Sequence, residues 1–134
     1  MIYRQFYSEI GKLLYAVADV DGVVSQKEKK ELQKIVKTEL VPTGTVFDKF
    51  GTDVAYYAEI EFDILEDSMI DPEQAFHSFI YFVEDHHTAI DTRMRDVILK
   101  VVKRIAVAYH KTNHKEKDLI QKLEKKLHSL TFKS

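Results

Sequence analysis

Apolar residues recur at steps of three and four in nearly every segment of the chain, which predicts an all-α protein. Phe6, Ile10, Leu13, Leu14, Val17 and Ala18 line one side of a first helix. A turn follows at Asp21-Gly22, and Ser25 then starts a second helix with Glu28 three residues later. That Ser-x-x-Glu spacing forms a capping box, because each side chain accepts from the other residue's free backbone N–H. Leu32, Ile35, Val36 and Leu40 continue the inward stripe, and Pro42-Thr43-Gly44 ends the element. Residues 45–52 read as a short irregular connection.

The stretch from Ala58 to Ile64 alternates like a strand, yet Val54, Ala58, Phe62 and Leu65 also form a helical stripe. No second strand is present to pair with it, and an unpaired strand leaves its backbone groups unsatisfied, so helix is the expectation. Asp71-Pro72-Glu73-Gln74 opens a further helix with an N-cap and a proline at the first helical position. Its residues Ala75, Phe76, Phe79, Ile80, Phe82 and Val83 are apolar almost all round, which predicts a central, buried helix. Between Asp91 and His110, Met94, Val97, Ile98, Val101, Val102, Ile105, Ala106 and Tyr109 keep the cleanest period in the chain. Asn113-x-x-Glu116 is a second capping box, opening a last helix with Leu119, Ile120, Leu123, Leu127 and Leu130 inward. The expectation is a compact bundle of about six helices.

Shifting the N-terminal pair of helices by 88 positions superimposes these patterns. Leu13 and Leu14 meet Val101 and Val102, Val17 and Ala18 meet Ile105 and Ala106, and Leu32 and Ile35 meet Ile120 and Leu123. Ser25 meets Asn113 and Glu28 meets Glu116, so both capping boxes coincide. Two pseudo-symmetric helix-turn-helix pairs are expected. The acids do not repeat: Asp19 falls on Val107 and Asp21 on Tyr109, so a site belongs to the first pair alone.

Composition adds exclusions. At 134 residues the chain fits one domain, 1–134, and its 45% hydrophobic and 31% charged residues give an ordinary globular balance. The absence of cysteine excludes disulfides, thiol catalysis and thiolate zinc sites. The first residues lack the apolar run of a signal peptide, and the charge-free Gln74–Val83 is far too short to span a bilayer. A cytoplasmic protein without membrane insertion is expected. Charge is divided unevenly, at −10 from Asp53 to Asp96 and +7 from Lys100 to Ser134. The basic part is almost all lysine with few aromatics, unlike a nucleic-acid reader, so no nucleic-acid partner is expected.

Ala18-Asp19-Val20-Asp21-Gly22-Val23-Val24-Ser25-Gln26-Lys27-Glu28 is the most specific segment. Set on a calcium-binding EF-hand loop, Asp19, Asp21, Gly22, Ser25 and Glu28 fall on positions 3, 5, 6, 9 and 12. Val17 takes the first position, where that loop needs a carboxylate. The segment more closely resembles the TerB family, tellurite-resistance-associated proteins that include the N-terminal domain of some membrane-bound J-domain cochaperones. Ala16-Val17-Ala18-Asp19-Val20-Asp21-Gly22, with Ser25, Glu28 and Leu32 after it, is similar to that family's signature. The chain carries an extra Asp19-Val20 step and no counterparts of Asp19 and Asp21 in its second copy. The resemblance implies a single TerB-like helical domain acting as a cytoplasmic, stress-associated binding or sensing module. It also implies a metal-binding surface, here Asp19, Asp21 and Glu28, taking calcium or magnesium weakly.

The same residues satisfy a purely structural role, in which Asp21 and Gly22 form the turn while Ser25 and Glu28 cap the helix. On that alternative the chain is a ligand-free scaffolding domain whose acidic middle segment docks a basic protein partner. Asp19 is the residue that capping leaves unexplained. Glu84-Asp85-His86-His87 with Asp91 could collect a metal at a helix end, or could be a solvated end where histidine complements the helix dipole. His110 and His114 have i, i+4 spacing, with the Asn113 cap between them. No Gly-rich phosphate loop, nucleophile elbow or His-Glu-x-x-His motif occurs, so no catalytic role is expected.

Overall fold

The computed structural model describes residues 2–19, 26–41, 53–107 and 114–130. Among these residues there are six α-helices and no strand, as the periodicity predicts. They are α1 (Ile2–Asp19), α2 (Gln26–Ile35), α3 (Tyr57–Ser68), α4 (Pro72–Asp85), α5 (Thr92–Val107) and α6 (His114–Ser129). α2 runs on through a π-turn at Val36–Leu40, and a 3-10 turn at Val54–Tyr56 leads into α3.

The ambiguous 58–64 stretch is helical. Asp53 accepts a hydrogen bond from the Ala55 N–H at 2.9 Å and starts the turn into α3. Ala58, Phe62 and Leu65 are then buried at steps of four and three, while Ile60 and Ile64 face outward. α3 ends where Met69 adopts a left-handed backbone, φ 54°. There the Met69 N–H donates to Glu66 and the Ile70 N–H to Leu65, each at 3.2 Å. This pairing closes a Schellman cap. Asp71 caps α4 through the Glu73 N–H at 3.1 Å, with Pro72 at the first position. Asp91 caps α5 through the Met94 N–H at 2.8 Å.

α1 is the central helix, packed against α3, α4 and α5. Phe6, Ile10, Leu13, Leu14 and Ala18 are fully buried, and Tyr7, Tyr15 and Val17 nearly so. This differs from the expectation for 72–85. α4 buries Ala75, Phe76, Phe79, Phe82 and Val83 but leaves Tyr81 67% exposed, so it has a solvent face. The reason lies in pairing. The one acid that faces inward from α1, Glu9, is paired with Lys12 and can be covered. Gly11 lets α1 approach α3 at Ala58, where a Cβ would come within 3.0 Å of the Ala58 carbonyl carbon.

The 88-residue offset appears in the burial of paired positions. Leu13, Leu14 and Ile35, and their counterparts Val101, Val102 and Leu123, are all fully buried. The two cap residues Ser25 and Asn113, and the 45–52 connection, lie outside the described residues. No described helix is long and apolar enough to cross a membrane.

Candidate functional site

Of the predicted cation ligands, Asp19 is the last residue of α1 and Glu28 lies in the first turn of α2. Asp21, between them, lies outside the described residues, as do the positions of the Asp19 and Glu28 side chains.

The histidine-rich end of α4 is a helix stop. The His86 N–H donates to the Phe82 carbonyl at 3.0 Å, and its ring Nδ1 lies 2.9 Å from the same oxygen. The His86 ring also lies against Phe82, with centroids 4.7 Å apart. No group of three or more His, Asp or Glu side chains converges among the described residues. His110 lies outside them.

A network that sequence reasoning missed joins α1 to α4. Glu9, 5% exposed, accepts from Lys12 Nζ at 2.6 Å and from Ser78 Oγ at 3.0 Å. Lys12 also donates to Ser78 at 3.2 Å, closing a three-membered ring. The three side chains satisfy one another's hydrogen bonds, so the group pins α1 to α4. The i, i+3 spacing of Glu9 and Lys12 was readable; Ser78, 66 residues from Lys12, was not.

A second network ties α2 to α5. Arg104 donates to Glu31 through Nε and Nη2 at 3.0 and 2.7 Å, and through Nη1 to Thr38 and Glu39 at 2.9 and 3.1 Å. Lys100 reaches the other Glu39 oxygen at 3.1 Å. Lys126 of α6 likewise meets Glu84 of α4 at 3.1 Å, beside a shallow cleft of about 300 Å³ that includes Phe76, Ile80 and Tyr81. Part of the basic C-terminal charge is thus spent inside the molecule on acids of α2 and α4.

The acids of α3 are treated differently. Glu66 pairs with Lys29 of α2 at 2.5 Å. That hydrogen bond pushes the Lys29 ammonium above its ordinary value near 10.5; partial burial opposes the shift, and the charges of Glu66, Asp63 and Asp67 add to it. Asp63 and Asp67 are exposed and make no ion pair among the described residues. Beside them Ile60 is 45% and Ile64 51% exposed, and Met69, at the end of the helix, is 87% exposed. Positions 60, 63, 64 and 67 share one side of α3, so acids and large apolar side chains form a single outward stripe. The signal for it was present in the sequence. Once Ala58, Phe62 and Leu65 point inward, Ile60 and Ile64 must point out.

No protein-family model, curated protein or solved structure matches this chain.

Proposed function

We propose that this chain is a TerB-like binding module whose docking surface is the outer stripe of α3, and that it takes a basic, amphipathic protein segment. The observation that carries the reading is Ile60 and Ile64 standing half-exposed one turn apart, flanked by the exposed carboxylates Asp63 and Asp67. Large aliphatic side chains left in water forgo part of the roughly 1.5–3 kcal/mol that full burial of each provides. A partner that covers them recovers it, while complementary charges set orientation and speed of encounter. Met69 supports the same reading. A β-unbranched apolar residue in the left-handed region is strained where glycine would not be, and its side chain is sent into solvent.

Isothermal titration with a lysine-rich amphipathic helical peptide tests the proposal. Binding should weaken by about tenfold, or about 1.4 kcal/mol, in Ile60→Ser/Ile64→Ser. It should also weaken as salt is raised. Equal binding by the variant would contradict the reading.

A second reading, cation sensing at Asp19, Asp21 and Glu28, rests on the spacing of these acids about Gly22 in the sequence.

A further inference from the structure

The cleft between α4 and α6 is built by one side of each helix. Phe76, Ile80 and Glu84 lie four residues apart with His77 and Tyr81 beside them, so all five share a side of α4. Lys122 and Lys126, also four apart, face them from α6, and together these side chains line about 300 Å³. The floor is apolar: Phe76 is 6% exposed and Ile80 is half-buried. Tyr81, 67% exposed, stands at the rim. The other large apolar side chains left exposed among the described residues, Ile60, Ile64 and Met69, belong to α3 and its cap. Tyr81 is therefore not accounted for by the α3 surface.

The polar groups in the cleft restrict what it can take. Glu84, its one acid, is already paired with Lys126 at 3.1 Å. Three polar groups are left over: the Lys122 ammonium, the Tyr81 hydroxyl and the His77 ring. None of them makes a hydrogen bond or ion pair among the described residues. All three can donate, since lysine has only donors, the phenol has an O–H and the imidazole has an N–H in either tautomer. A cationic ligand would meet Lys122 as a like charge, and a neutral one would leave that charge unused. An occupant with an apolar body and a negatively charged acceptor satisfies both floor and rim. Lys122 also lines the adjoining hollow with Lys115, Asp71, Glu73 and Asp118, where the excess of acid disfavours a doubly charged head group such as a phosphate monoester.

We propose that the cleft between α4 and α6 binds a small amphipathic carboxylate, its apolar body against Phe76, Ile80 and Tyr81 and its carboxylate on Lys122. The cleft lies at the lower end of the roughly 300–1,000 Å³ of small-molecule sites, so the ligand is small and its dissociation constant is in the millimolar range. The site is separate from the α3 surface and does not depend on it.

Methyl NMR tests the proposal, because Ile80 lines the cleft while Ile60 and Ile64 do not. In a titration with phenylbutyrate, the Ile80 signal should shift and saturate, with Ile60 and Ile64 unmoved. Phenylbutyramide, the same body without the charge, should bind about tenfold more weakly or worse. Lys122→Gln should bring the carboxylate down to the level of the amide and leave the amide unchanged. Lys125→Gln, at an exposed lysine of the same helix outside this cleft, should alter neither. Tyr81→Ser should weaken both ligands, and inorganic phosphate should leave Ile80 in place. All three substituted positions are at the surface, and circular dichroism checks that each variant is folded. An Ile80 signal that does not move with phenylbutyrate, an amide that binds as tightly as the acid, or equal losses in Lys122→Gln and Lys125→Gln would overturn the proposal.

Discussion

Gly11 of α1 lies against the Ala58 carbonyl of α3, so closely that a methyl group at Gly11 would come within 3.0 Å of the Ala58 carbonyl carbon and nearer still to its oxygen. The helix that carries the core and the helix that carries the proposed docking face are therefore in backbone contact. Gly11→Ala gains about 1 kcal/mol of helix propensity but must move a backbone, not a flexible side chain. Overpacking at the upper end of its usual range, about 3 kcal/mol, outweighs that gain. Chemical denaturation should show a net loss of about 2 kcal/mol, and an unchanged or more stable protein would contradict the close approach.

Ser78 holds a buried carboxylate. Ser78→Ala removes the hydrogen bond to Glu9 while leaving the Lys12 ion pair in place. Losing a bond to a charged group costs about 1.5–3 kcal/mol. The half-buried neighbour Ser8, changed to alanine, should cost less than about 0.5 kcal/mol. Equal effects of the two substitutions in urea unfolding would remove the pin between α1 and α4.

Met69 separates stability from docking. Met69→Gly relieves a left-handed backbone at an exposed helix cap and should stabilise the fold by roughly 1 kcal/mol. The same change removes an exposed apolar side chain at the end of α3 and should weaken peptide binding. A variant that is both more stable and equally competent in titration would show that Met69 has no part in the surface.

The helices and most of the core were legible because burial follows the three-four period, which depends on local spacing. Ala58, Phe62 and Leu65 are an example: the strand-like alternation of Glu59, Glu61 and Asp63 competed with them, and the period of the buried residues decided the outcome. The identity of the central helix was not legible. Glu9 and Lys12 make α1 look like a surface helix until Ser78, far away in the chain, is seen to complete their hydrogen bonding. The pairing of Arg104 with Glu31, Thr38 and Glu39 was hidden for the same reason, since the π-turn at Val36–Leu40 has no marker in the residue pattern. Of the predicted cation ligands, the sequence gives their spacing and the structure adds the position of Asp19 at the end of α1.

That position makes the cation reading testable. If Asp19, Asp21 and Glu28 hold calcium or magnesium, the folded state gains stability by mass action as the ion is added. With Val17 in place of a first carboxylate, affinity should be on the order of 10⁻⁴ to 10⁻³ M. Asp19→Asn should abolish the gain, whereas Ser25→Ala should cost about 0.5–2 kcal/mol without metal through loss of the cap. A melting temperature indifferent to millimolar calcium, magnesium and zinc would leave a capped turn and no cation site.

The docking face itself is most directly read from isoleucine methyl groups. Ile60 and Ile64 are half-exposed, while Ile10, Ile35, Ile98 and Ile105 are fully buried, so one labelling scheme supplies both probe and control. In a methyl NMR titration with the lysine-rich amphipathic peptide, the Ile60 and Ile64 signals should shift progressively and saturate, with the four buried residues unmoved. Signals from Ile60 and Ile64 that stay in place at saturating peptide, or shifts spread evenly over buried and exposed residues, would contradict the assignment of α3 as the docking surface.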